Sequence, residues 1–205
     1  VDAPLDVAKK CLKLYPDALH DASSTIGTPL HYACWFDASS KLVRYIASRD
    51  LPALTILNRA KRTPLHLACL RAKSELVVLL TEACAEAASF RDRENKTPLH
   101  IACEAESPKL AVIEDLTEVY PAAVAQGALQ AAIVNPAVNY DILKDLVLSN
   151  PKALKTLDAE GRTPLHLAVL EKRPYKELRL LFKKCPKAVA IKDDNGQTPR
   201  MLAKT

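Results

Sequence analysis

The chain has 205 residues with a formal net charge of +5, and its low contents of aromatic residues (5%) and glycine (four) suit helices closed by short turns. No apolar run approaches the length of a membrane span, and no secretory signal with a charged start and an apolar middle is visible. Composition therefore argues against membrane-spanning helices and favours a soluble helical protein.

The tetrapeptide Thr-Pro-Leu-His recurs along the chain and sets its period. It begins at Thr28, Thr63, Thr97 and Thr163, and a degenerate copy begins at Thr198. Successive copies lie 34 or 35 residues apart, except for one step of 66 residues that spans two periods. Such a period is typical of stacked supersecondary units, each too small to hold a core alone. The chain is therefore predicted to be a repeat array that presents a binding surface.

The period predicts an order of segments. They are the second helix of a preceding repeat at 1–20, repeats at 21–54, 55–88 and 89–123, a degenerate repeat at 124–154, a repeat at 155–189, and the start of a final or capping repeat at 190–205. The degenerate repeat lacks its connecting loop, because Gly127 follows Pro121 by 6 residues where other copies have 12. Since the chain opens inside one repeat and stops inside another, we expect it to be part of a longer protein.

Each repeat carries the capping signals of two helices. In every Thr-Pro pair, Thr suits the N-cap and Pro suits the first helical position, where no amide is needed. A second helix is predicted some ten residues later, with Ser40, Ser74 and Ser107 as its caps. Gly161 and Gly196 suit a positive φ in the turns between repeats.

These features resemble the ankyrin repeat family. The resemblance rests on the four Thr-Pro-Leu-His-x-Ala blocks and on the Asp-x-x-Gly-x-Thr-Pro stretches that begin at Asp158 and Asp193. It implies an all-α solenoid of stacked helix–turn–helix units with short β-hairpin-like fingers, whose concave face binds other proteins. Lys61 and Ile26 stand where the family prefers Gly, so we expect the first two fingers to be less regular.

The block histidines and cysteines are periodic. His31, His66, His100 and His166 share one slot, and packed helices about 8–10 Å apart cannot bring them to one zinc ion. The resemblance implies instead that each hydrogen-bonds the backbone of the adjoining loop. Three cysteines share a second slot, three residues later, and are predicted to be small buried hydrophobes: Cys34, Cys69 and Cys103.

The motifs and the cysteine count also bear on enzymatic activity and on the cellular compartment. The chain shows no phosphate loop, no paired catalytic carboxylates and no Cys-x-x-Cys, so we predict no enzyme activity, cofactor, metal or small-molecule substrate. Six unpaired cysteines favour a reducing intracellular compartment. The cytoplasm is the first choice, and the nucleus and an organelle interior stay open.

The resemblance also implies a partner-binding face, formed by the residues that follow each block and by the fingers. Trp35 and Phe36, next to Arg71, have the composition of an interface hot spot, although Trp35 could instead cover the end of the first repeat. A basic row on the fingers suits a partner segment with acidic and apolar residues. The predicted partner-binding residues are Trp35, Phe36, Arg59, Arg62, Leu70, Arg71, Arg93, Lys96, Glu104, Arg162, Leu170 and Glu171.

Charge is uneven along the chain, and residues 151–205 carry 13 Lys and Arg against 6 Asp and Glu. Much of the excess forms a basic patch, defined as Lys172, Arg173, Lys176, Arg179, Lys183, Lys184 and Lys187. It is either the solvated convex face of a second helix or a docking patch for an acidic protein, an anionic membrane surface or RNA. RNA is less favoured because only Tyr175 and Phe182 are interleaved for stacking.

Two functions therefore follow from the sequence. The first is a protein–protein interaction scaffold or adaptor, as part of a larger protein or assembly. The alternative is a basic adaptor that docks on an anionic surface through residues 172–187.

Overall fold

A computed structural model describes residues 26–36 and 38–203, together with the single positions 6, 9, 10, 13, 14 and 20. The helix predicted over 1–20 lies outside this part of the chain, apart from those single positions. Within the described residues there are 11 α-helices and no strand, which confirms the all-α fold class. The chain divides into two units, residues 1–101 and residues 102–205.

The helices follow one another in pairs. In chain order they are α1 (Pro29–Trp35), α2 (Ser40–Arg49), α3 (Pro64–Leu70), α4 (Ser74–Ala83), α5 (Pro98–Glu104), α6 (Leu110–Val119), α7 (Leu129–Val134), α8 (Tyr140–Ser149), α9 (Pro164–Leu170), α10 (Tyr175–Lys184) and α11 (Pro199–Leu202). In the first unit α1 packs on α3 and α2 packs on α4. In the second unit α7 packs on α9, and α8 packs on both α6 and α10. Equivalent helices of neighbouring repeats thus contact one another, as in a stacked array.

The Thr-Pro-Leu-His blocks begin the first helices as predicted. Thr28, Thr63 and Thr163 are N-caps with extended backbone, and proline follows each of them inside the helix. The leucine of each block is buried; Leu30 and Leu65, for example, have no exposed surface. Burying one such side chain contributes roughly 1.5–3 kcal/mol, so each block joins a helix start to a core contact.

A tight turn, the finger, precedes several of the first helices. The fingers of the described residues span 58–62, 92–96, 158–162 and 193–197, and they share one set of bonds. The first residue donates its N–H to the carbonyl of the fifth, and its own carbonyl accepts from the amide of the fourth. Its side chain, an Asn or Asp, accepts two more backbone N–H groups through Oδ1.

The fourth finger residue has a positive φ, 56° at Lys61 and 71° at Gly161. The finger that contains Lys61 therefore keeps the same bonds as the others, and the irregularity expected there is not seen. Lysine adopts the left-handed conformation at a cost of about 1–2 kcal/mol, a cost that glycine avoids.

The connection before α7 differs from the fingers. Residues 122–134 are helical, and a π-type turn at Val124–Ala128 leads directly into α7. The helix is kinked at Gly127, where φ is 118°. Gln130 stands in the slot of the block histidine, and its Nε2 donates to Thr156 Oγ1 at 2.7 Å.

Candidate protein-binding surface

His31, His66 and His166 each tie their repeat to the finger of the next. The Thr backbone N–H donates to histidine Nδ1, so Nδ1 is unprotonated and the ring proton is on Nε2. Nε2 then donates to a finger carbonyl, at 2.8 Å from His31 to Arg62, 3.2 Å from His66 to Lys96 and 3.1 Å from His166 to Gln197. The predicted bond to the adjoining loop is confirmed at these three positions.

Burial keeps the rings of His31 and His66 neutral. It lowers the pKa of His31, and it lowers the pKa of His66 to about 4, although the bond to a finger carbonyl opposes the change in both. In the described part of the chain, no three His, Cys, Asp or Glu side chains lie close enough together to hold a metal ion. The histidines act here as structural ties.

The cysteines of the second slot lie in the core. Cys34, Cys69 and Cys103 are buried. Burial raises the pKa of Cys34 to about 12 and also raises that of Cys103. A thiol held in its protonated form is a poor nucleophile, so these positions contribute packing.

Aromatic side chains gather at the C-terminal end of α1 in the first unit. The rings of Tyr32 and Phe36 stack with centroids 5.8 Å apart, and Phe36 is 65% exposed. The Arg71 guanidinium lies 5.2 Å from the centre of the half-buried Trp35 ring, in cation–π contact. Leu70, which precedes Arg71, is also exposed. These five residues form what we call the aromatic surface.

The sequence analysis missed Tyr32. Its signal was present, since Tyr32 and Phe36 are four residues apart on one helix and such pairs face each other. Of the predicted residues, Trp35 and Arg71 come together, whereas Phe36 stacks on Tyr32.

Several of the predicted basic finger residues already face carboxylates. Arg62 Nε is 3.0 Å from Asp92 Oδ2, and Lys96 Nζ is 2.9 Å from Glu94 Oε2. In the second unit Arg162 contacts its own finger's carboxylates, at 2.8 Å and 2.7 Å. Burial works against ionisation of Asp92, but the Lys96 backbone N–H and the Arg62 guanidinium outweigh it and lower its pKa.

The other predicted partner-binding residues are exposed. Arg59 and Arg93 lie on fingers of the first unit, and Glu104 ends α5. In the second unit Leu170 ends α9 and Glu171 follows it.

The basic patch loses one member in the structure. Arg173 is buried, and its Nε donates to Glu177 Oε2 at 2.7 Å. Its other nitrogens donate to the carbonyls of Asn135, at 3.0 Å, and Val138. Arg173 therefore joins neighbouring repeats from inside and is not available to a partner. The other six residues are exposed, and the Lys176 ammonium lies 3.7 Å from the centre of the Tyr140 ring.

Comparison with known proteins agrees with this geometry. Residues 30–116 match the family model described as ankyrin repeats (3 copies). A search of curated proteins gave no significant match. Beyond the matched residues, α9 repeats the same capping box and the same histidine tie. Residues 30–116 therefore consist of ankyrin repeats.

Ankyrin repeats are generally protein–protein interaction modules, and they typically serve as non-enzymatic scaffolds. None of the helices in the described part of the chain has the length and apolar character needed to cross a bilayer.

Proposed function

We propose that the chain is a scaffold or adaptor, within a larger assembly, that binds a partner protein through the aromatic surface. The observation that carries the proposal is the contact of Arg71 with Trp35 beside the stacked, exposed ring of Phe36. Trp, Tyr and Arg are the residues most enriched among interface hot spots, and clustered exposed apolar groups mark interaction sites.

The charge of the first unit indicates the kind of partner. Arg59 and Arg93 are exposed on the fingers, and Arg71 is exposed beside the aromatic rings. A partner segment that carries carboxylates as well as apolar side chains would complement this surface. Because Arg62 and Lys96 already face carboxylates, they contribute less to the attraction.

The cysteines indicate the cellular compartment in which this partner binding takes place. Four of the five cysteines among the described residues are buried. A reducing intracellular compartment suits such thiols, with the cytoplasm as the first choice.

The test is site-specific photo-crosslinking followed by affinity measurement. A photoreactive phenylalanine analogue replaces Phe36 in one sample and Leu148, an exposed position on α8, in the control. We expect a partner protein to be captured at position 36 and not at position 148. With that purified partner, Trp35→Ala should raise Kd about 30-fold, equivalent to about 2 kcal/mol.

A matched variant and a stability measurement keep the test decisive. Phe182→Ala removes an exposed aromatic ring from the second unit and should leave Kd unchanged. Urea unfolding of each variant reports whether the fold survives. If Trp35→Ala lowers the urea midpoint while the folded molecules bind with unchanged Kd, Trp35 belongs to the core and the proposal fails.

Docking on an anionic surface through residues 172–187 is the second candidate. It is favoured because the exposed charged side chains of α10 are all positive, whereas its one carboxylate, Glu177, is buried. Such docking should weaken steeply with added salt, while binding at the aromatic surface should weaken less, because apolar contacts contribute to it as well as charges. Titration at several salt concentrations separates the two.

A further inference from the structure

Neighbouring fingers are joined by one backbone hydrogen bond. In the first unit, the N–H of Arg93, the second residue of its finger, donates to the carbonyl of Ala60, the third residue of the finger before it, at 3.0 Å. In the second unit, the Asp194 N–H donates to the Glu160 carbonyl at 3.1 Å. The same two positions pair in both units. Each finger therefore presents a donor to the finger before it and an acceptor to the finger after it.

The finger 158–162 lacks this bond on the side that faces the degenerate repeat. The finger before it would fall within residues 122–134, which are helical. Among the described residues, the N–H of Ala159, the second residue of the finger, has no acceptor, and Ala159 is exposed. The gap is internal to the second unit, because α6, α7, α8 and α9 all surround it in sequence. Its openness therefore does not depend on either end of the chain.

Two further features keep this edge of the finger open. Leu157, which immediately precedes the finger, is 56% exposed. The slot of the histidine that ties other fingers to the preceding repeat holds Gln130, whose Nε2 donates to Thr156 Oγ1. An exposed leucine beside an unpaired amide can be satisfied by one polypeptide segment, since its carbonyl accepts the N–H while an apolar side chain covers the leucine.

The charges around this edge indicate the composition of that segment. The carboxylates of Asp158 and Glu160 are both engaged by Arg162, at 2.8 Å and 2.7 Å. Lys152 and Lys155, on the turn that precedes Leu157, are exposed. An acidic segment would therefore be attracted to this edge, and a basic segment would be repelled.

We infer that the edge of the finger 158–162 binds an acidic turn of a partner protein, which takes the place of the missing finger. A carbonyl of that turn accepts the Ala159 N–H, an apolar side chain covers Leu157, and a carboxylate faces Lys155. The bonds between the existing fingers show that a turn can supply such a carbonyl. This surface is separate from the aromatic surface, because every residue it uses belongs to the second unit.

The test uses a defined peptide and the complete 205-residue chain labelled with ¹⁵N. The acidic peptide is cyclised and holds the turn Leu-Asp-Ala-Glu-Gly-Gln, which copies residues 157–161, whose Glu160 carbonyl already accepts a finger N–H. The comparison peptide holds Leu-Asn-Ala-Lys-Gly-Gln. In NMR titrations the acidic peptide should shift the Ala159 amide signal saturably, with a Kd below about 1 mM, and the comparison peptide should bind at least about fivefold more weakly.

Proline at position 159 removes the donor while the turn is kept. Ala159 is the second residue of a turn closed by the Gly161 N–H and the Asp158 carbonyl, and proline is favoured at that position. Ala159→Pro should therefore abolish binding of the acidic peptide with no loss in the urea midpoint. Ala159→Ser keeps the N–H and should bind like the natural chain. Arg93→Pro is the matched comparison, and it should lower the urea midpoint because the Arg93 N–H is already bonded.

A second pair of variants tests the apolar contact. Leu157→Ser should weaken the acidic peptide about tenfold. Leu148→Ser, at another exposed leucine of the second unit, should leave its Kd unchanged. Lys183→Glu with Lys184→Glu should also leave the Kd unchanged, which separates this site from docking through residues 172–187. Circular dichroism checks that each variant is folded.

Several results would overturn the inference. One is the absence of a saturable shift at Ala159 with the acidic peptide at millimolar concentration, and another is unchanged binding by folded Ala159→Pro. Equal affinity for the two peptides would remove the charge argument. Self-association that Ala159→Pro abolishes would assign the edge to a second copy of the chain. A shift at Ala159 caused by an RNA oligonucleotide and by neither peptide would assign it to nucleic acid.

This inference and the proposed function fail independently. Trp35→Ala should leave the Kd of the acidic peptide unchanged, since the peptide does not use the first unit. A null result with the peptide therefore leaves the crosslinking test of the aromatic surface intact.

Discussion

Acid should destabilise the chain through His31 and His66, and the effect can be worked out at His66. Its Nδ1 already accepts the Thr63 N–H at 3.1 Å, and its Nε2 donates to the Lys96 carbonyl, so a second ring proton would face a donor. The folded pKa of His66 is about 4, against about 6.5 in an unfolded chain. The unfolded state therefore binds the proton first as pH falls.

The sign and the size of the effect follow from linkage. Because the folded pKa is lowered, stability is fully present above pH 6.5 and is lost progressively as pH falls toward 4. Between pH 8 and pH 5 the loss from His66 alone is about 2 kcal/mol. The pKa of His31 is lowered in the same direction, so the two losses add.

The assay is urea unfolding followed by circular dichroism at pH 8, 7, 6 and 5, for the natural chain and for His66→Gln. Glutamine keeps an acceptor for the capping box but does not titrate. The variant should be less stable by about 1 kcal/mol at pH 8, because the Lys96 carbonyl loses one of its two donors and keeps the Asp92 N–H. At pH 5 the gap should have shifted by about 2 kcal/mol in favour of the variant. A gap that stays constant with pH would refute the claim that burial keeps His66 neutral.

Three further predictions concern strained and buried positions. Lys61→Gly should stabilise the chain by about 0.5–1 kcal/mol in urea unfolding, because glycine adopts φ of 56° without strain; a loss of stability would contradict this. Gly161→Ala should cost more than Gly196→Ala at nearly the same φ, because only at 161 would a Cβ approach the next finger's backbone, at 3.1 Å; equal losses would remove the steric argument. Glu177→Gln should cost about 3–5 kcal/mol by leaving Arg173 buried and unpaired, while Arg173→Met with Glu177→Leu should recover most of the loss; a double variant no better than the single one would contradict the reasoning.

The first helices could be predicted because their signals are local. Thr28, Thr63 and Thr163 cap their helices as the Thr-Pro pairs indicated. The second helices were less predictable: the expected caps Ser40 and Ser74 are in fact the first helical residues, and the N-caps are Ser39 and Lys73. The Lys73 side chain makes no capping hydrogen bond with α4. The backbone N–H of Lys73 donates to the carbonyl of Ala68. The start of α4 is therefore set by the turn that joins α3 to α4.

Charge runs were the least reliable guide to the surface. Arg173 stands in the middle of the basic patch, and only the tertiary fold places Glu177 and two carbonyls of a neighbouring repeat around it. Likewise, the pairing of Arg62 with Asp92 joins residues 30 positions apart and has no local signal. The proximity of Arg71 to Trp35 was predicted because they occupy adjacent positions in successive repeats, eight and seven residues after the block threonine, which stacking brings together.

The histidine ties also determine where the chain can be cut and rejoined. His66 and its acceptor Lys96 both belong to the stretch 63–96, whereas the sequence period of 55–88 separates them. A cassette exchanged at the Thr-Pro boundary therefore carries its own donor and acceptor, together with the complete finger 92–96. Chimeras joined before Thr63 and before Thr97 should thus need no compensating changes at these bonds, unlike chimeras joined at the edges of the sequence repeat.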